Sequence, residues 1–92
     1  MNLSTVLLYL KSQSAAGETA VSMLRHGLAL RMEQSGEGRY RLELERAWTQ
    51  PSEIELKTVR SACELLGWRV VGQSSGVEQV GMLRRRWVEL DA

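Results

Sequence analysis

The run Arg84-Arg85-Arg86-Trp87 places three guanidinium groups beside an indole. Guanidinium groups neutralise phosphates and release their counterions, and a tryptophan ring stacks on a base, so the run suits a nucleic-acid strand. Tyr40 and Arg41, on a neighbouring segment, would extend it, and Tyr9 could add a third ring. The stretch Glu37-Gly38-Arg39-Tyr40-Arg41-Leu42 matches the RNA-recognition signature poorly, because that signature asks for more aromatic residues in the same strand. The competing reading of Arg84–Trp87 is a charged edge strand that discourages aggregation, with Trp87 packed on the core or on a partner. Trp48, Trp68 and Trp87 all fall at the start or end of strand-like segments. Tryptophan is enriched in binding hot spots, so a partly exposed one points to a protein–protein surface.

Other chemistry is weaker. Gly72-Gln73-Ser74-Ser75-Gly76 has the G-x-S-x-G spacing of a nucleophile elbow, and it follows a strand-like segment. An elbow also needs a helix behind it, an oxyanion donor and a histidine base within reach. Here a polar loop follows, and the one histidine, His26, comes earlier in the chain. One Cys and one His cannot supply the four ligands of a structural zinc site. No calcium-loop or phosphate-loop motif is present. Cys63 falls on an apolar helical stripe and reads as a small core residue. His26, beside Arg25 at a helix end, complements the helix dipole. Glu43 and Glu45 share a strand face with Arg39 and Arg41 and read as a solvated, cross-paired surface. The expectation is therefore no catalytic constellation, no metal and no cofactor.

The elements that would position these residues follow from periodicity. Residues 28–34 and 39–46 alternate apolar and charged residues around Ser35-Gly36-Glu37-Gly38, which predicts a β-hairpin with one buried and one charged face. Ser52-Glu53-Ile54-Glu55 is a capping box, preceded by Pro51, and predicts a helix over 53–66 ended by Gly67. Its stripe is Leu56, Val59, Cys63 and Leu66, widened by Ala62 and Leu65. Residues 15–26 predict another helix, with Ala16, Ala20, Met23 and Leu24 on one face. Residues 3–11 fit either a buried strand or a helix, and the shortness of the run favours the strand. Trp68 to Gly72 predicts a strand, Gln73 to Gln79 a polar loop, and Val80 to Leu90 a long strand with imperfect alternation. Met82, Val88 and Leu90 share a face with Arg84 and Arg86. Either a β-bulge near the arginines or partial cover of both faces would reconcile that pattern.

The resulting order, β-α-β-β-α-β with an extra strand, predicts an α+β two-layer sandwich of ferredoxin-like type. If residues 3–11 are helical, a helix-first, winged-helix-like start is the alternative, although residues 14–27 leave little room for two more helices. The chain of 92 residues is one domain. Its net charge of +1 gives no bulk attraction to polyanions. A single cysteine allows no intrachain disulfide, and the apolar run Val6–Leu10 is too short for a membrane span. Together these features predict a cytoplasmic, non-enzymatic protein-interaction module that self-associates or joins a larger assembly. The alternative is a small nucleic-acid-binding protein using Arg84–Trp87.

Overall fold

The computed structural model describes Leu8, the backbone of Val21–Met23, and residues 27–91. The hairpin is the frame on which everything else is hung. Strand β2 (Ala29–Gly36) pairs antiparallel with β3 (Arg39–Ala47), with Leu30 opposite Leu44 and Met32 opposite Leu42. Gly38, at φ 68°, supplies the left-handed backbone that the tight connection needs. Helix α1 (Glu53–Leu65) begins as its capping box requires. The Glu55 amide donates to Ser52 Oγ at 3.1 Å, and the Ser52 amide donates to Glu55 Oε1 at 2.9 Å.

Three strands complete the C-terminal half: β4 (Arg69–Gln73), β5 (Glu78–Val80) and β6 (Leu83–Asp91). With β1 (Val21–Met23) they make one antiparallel sheet in the order β1-β2-β3-β6-β4. Strand β5 pairs with the first half of β6 and β4 with its second half, so two short strands share one edge. Both β3 and β4 run antiparallel to β6, so they are parallel to each other. The unit β3-α1-β4 is thus a split crossover with β6 inserted between its strands. Leu56, Val59, Ala62 and Cys63 of α1 meet Leu28, Leu30, Met32, Leu42, Leu44, Val88 and Leu90 in one core cluster. At its border Tyr40 and Trp68 meet edge to face, with centroids 5.0 Å apart.

The ferredoxin-like βαββαβ expectation is overturned. The described residues form one full helix against a single antiparallel sheet of six strands. Within the segment predicted as a first helix, Val21–Met23 form a strand, with Ser22 opposite Leu30. Three residues are too few to show a period of two; their conformation is decided by the open edge of β2, which the local pattern does not reveal. The remainder of that segment, His26 and Tyr9 lie outside the described residues. So does 3–11, save Leu8, which is helical and exposed. The six-stranded sheet departs equally from the winged-helix alternative. Within the predicted loop 73–79, Glu78 begins β5.

The puzzle of β6 is resolved without a bulge. Its register with β3 runs unbroken from Arg39 opposite Asp91 to Ala47 opposite Leu83. Arg84 and Arg86 lie on the helix-bearing face, so both faces carry charge. Leu65 is not part of the packed stripe and is 66% exposed. It lies nine residues beyond Leu56, about two and a half turns at 3.6 residues per turn, which puts it on the opposite side of the helix.

Candidate interaction surface

The strand alternation that builds the hairpin divides the Arg84–Trp87 run between two faces. Arg86 points toward α1, is 6% exposed in its side chain, and forms an ion pair with Glu53, with Nη1 2.6 Å from Oε1. Arg84 turns back on its own loop and donates to the Gly81 carbonyl at 2.9 Å. Arg85 lies on the open face and bonds Glu45, with Glu78 at 3.5 Å. The bond to Glu45 raises the pKa of Arg85. Trp87 lies on the open face beneath Arg41, whose guanidinium carbon is 3.8 Å from the ring centroid. Of the sequence candidates, the structure therefore brings Arg41 and Trp87 together. It sends Arg85 to the face opposite Arg84 and Arg86, gives those two different partners, and turns Tyr40 to the core border.

The open face is a mosaic of paired charges. Arg31 donates to Glu43 at 2.5 Å, and that bond raises the arginine's pKa. Arg41 lies 3.6 Å from the same carboxylate, Arg69 bonds Asp91 at 2.7 Å, and Arg39 lies 3.7 Å from it. A polyanion would have to displace these carboxylates to reach the guanidinium groups, and each displacement lowers the gain from counterion release.

Ser74, the serine of the G-x-S-x-G run, is buried and structural. Its amide donates to the Trp87 carbonyl at 2.9 Å, and its Oγ accepts from the Trp87 amide at 3.1 Å. The side chain thus completes a ladder rung in the gap between β4 and β5. No group of three or more metal-ligating side chains is found among the described residues. No helix among them is long and apolar enough to cross a membrane.

The apolar surface is concentrated elsewhere. Trp48, just past β3, is 72% exposed. Its amide donates to the Met82 carbonyl at 2.7 Å, so Trp48 and the exposed Met82 leave the sheet at the same end. The exposed Val80 stands across the Gly81 turn. Trp48 is the one non-glycine residue with positive φ, at 68°, among the described residues. A bulky side chain in that region costs on the order of 1–2 kcal/mol, and such strain persists where the surroundings over-determine it, often at functional positions. Trp48 is recognisable in the sequence as a strand-end tryptophan, but nothing there signals its left-handed backbone. Ala47-Trp48-Thr49 holds no glycine or asparagine to suggest a left-handed residue. Met82, expected on one strand face with Val88 and Leu90, lies instead in the β5–β6 turn, which interrupts the predicted strand Val80–Leu90 and leaves Met82 and Val80 exposed.

Comparison of the chain with protein-family models, with curated proteins and with solved structures finds no match.

Proposed function

We propose that this protein is a non-enzymatic interaction module that joins a larger assembly by seating the Trp48–Met82–Val80 end of its sheet in an apolar socket of another protein. The observation that carries the reading is Trp48: a large, rigid side chain held in solvent by a costly backbone conformation. The edges of the sheet favour this end over strand addition. Strand β4 has five residues and a register shift between Val70 and Gly72, and short, bulged edges resist pairing with a further strand.

The test replaces Trp48 by a photo-cross-linking amino acid, with the exposed Ser35 near the end of β2 as the control position, in extract of the source cells. The expected result is one discrete cross-linked species from position 48 and none from position 35. Equal labelling from both positions would remove the reading. The alternative, nucleic-acid binding through Arg84–Trp87, is checked in parallel by anisotropy with labelled oligonucleotides at about 50 and 200 mM salt. Salt-sensitive binding lost in an Arg84/Arg85/Arg86→Ala variant would put that function in its place.

A further inference from the structure

The outward side of α1 carries Ile54, Thr58, Ser61 and Leu65, at spacings of four, three and four residues. That is the a/d repeat of a helix seam. It lies opposite the packed stripe of Leu56, Val59 and Cys63. Ile54 is 78% exposed and Leu65 is 66% exposed. Between them Thr58 and Ser61 are small enough to let a second helix approach closely. Lys57 and Glu64 flank the seam together, on one side of it. Buried Glu55 and Ala62 flank the other. Lys57 has no carboxylate partner among the described residues, while Glu64 lies 3.4 Å from Arg60 of its own helix. A shallow surface cavity of about 270 Å³, wide open to solvent, lies between Ile54, Lys57, Thr58 and Ser61.

We propose that α1 pairs with α1 of a second copy of this chain, antiparallel about a two-fold axis between Thr58 and Ser61. The seam is self-complementary only in that direction. An antiparallel pair sets Ile54 against Leu65 of the other copy and Thr58 against Ser61, twice over. Leu65 then enters the cavity beside Ile54. Residues on the same flank meet like position to like position in an antiparallel pair, so Lys57 faces Glu64 of the other copy, and the symmetry makes two such ion pairs. A parallel pair would set Lys57 against the buried flank of its partner and lose both. A two-fold axis makes this contact isologous and closed, giving a dimer rather than a fibre. A seam of 13 residues is small, and the dimer it forms is weak, with a dissociation constant of about 10–100 µM. The inference is independent of the contact proposed for Trp48, since it uses a different surface and a different partner.

Sedimentation equilibrium from about 5 to 500 µM tests it. The wild type is expected to shift from monomer to dimer across that range. Lys57→Glu and Glu64→Lys should each weaken the dimer about tenfold, since each turns two attractive pairs into repulsive ones. An equimolar mixture of these two variants should restore dimerisation, because the carboxylate introduced at position 57 of one then meets the ammonium introduced at position 64 of the other. Leu65→Glu should remain monomeric throughout. All three positions are exposed or flank the seam, and far-ultraviolet circular dichroism checks that each variant is folded. A wild type that stays monomeric at 500 µM overturns the proposal, as does a dimer indifferent to the charge swaps. A dimer dissolved by Trp48→Ser but not by the swaps overturns it too, and moves self-association to the end of the sheet.

Discussion

Arg46 of β3 and Glu55 of α1 form a two-pronged ion pair in which one carboxylate oxygen serves two masters. Glu55 Oε1 accepts from Arg46 Nη1 at 2.8 Å and from the Ser52 amide at 2.9 Å, while Oε2 bonds Arg46 Nη2. The residue that caps the helix is therefore also the residue that ties the helix to the sheet. A neighbouring tie, Arg86 to Glu53, joins the same first turn to β6.

The Arg46 bond, together with the Ser52 hydrogen bonds, holds Glu55 at a pKa of about 2, below its usual 4.5. A carboxylate depressed in the folded state stabilises the fold above its unfolded pKa and loses that contribution as pH falls through the folded one. The difference corresponds to about 3 kcal/mol, present above about pH 5 and largely gone near pH 2. Urea denaturation should show Glu55→Gln losing roughly that much less than the wild type between these two pH values. Parallel curves would mean that the pair contributes nothing.

Ser74→Ala removes the acceptor of the buried Trp87 amide. The expected cost is about 1–2 kcal/mol in chemical denaturation, with faster hydrogen exchange at the Trp87 amide. If Ser74 were instead a solvated loop residue, both quantities would stay at wild-type values.

The three consecutive arginines should behave as three different residues. Arg86→Ala removes a buried side chain and its pair with Glu53, and should cost about 2 kcal/mol. Arg85→Ala loses a half-buried pair, worth about 1 kcal/mol. Arg84→Ala gives up only carbonyl contacts in its own turn, and should change stability by about 0.5 kcal/mol. Thermal unfolding of the three variants checks the order. Equal effects would contradict the division of the run between two faces.

Trp48→Gly should separate stability from contact. Glycine occupies the left-handed region freely, so the variant is expected to be as stable as the wild type or up to about 1 kcal/mol more so. A clear loss of stability would mean that Trp48 packs on its own fold, and the reading of it as a presented side chain would go.

Cys63 is fully buried, and burial, followed by the nearby charge of Glu64, pushes its thiol up to about 12. It should resist thiol reagents in the native state and react at a rate set by unfolding. Native-state labelling as fast as that of a free peptide thiol would place Cys63 outside the core.

The hairpin and α1 were legible because their signals are local. Leu28, Leu30 and Met32 alternate with polar neighbours, and Ser52 and Glu55 stand at the one spacing at which each caps the other. The sheet order was not legible, because β1 and β5 are strands only by virtue of the edges they meet. The same limit applies to the surface. Arg84–Trp87 reads as one basic patch along the chain, yet strand alternation sends neighbouring residues to opposite faces, and the carboxylates that meet them come from β3, β5 and α1. Leu65 does not join the packed stripe: widening an apolar stripe by composition ignores angle around the helix. That displaced leucine is half of the seam proposed for dimerisation.

Strand β6 is made after β3, α1, β4 and β5, yet it lies between β3 and the two short strands. While a ribosome is still adding residues 83–91, β4 and β5 have no strand to lie against, and the buried face of β3 has a neighbour on one side only. The hairpin can close early, but the layer beneath α1 cannot. A nascent chain halted before Leu83 would expose its leucines to whatever is nearby, and the sheet would be completed in one late step, when β6 pairs with β3, β4 and β5 together.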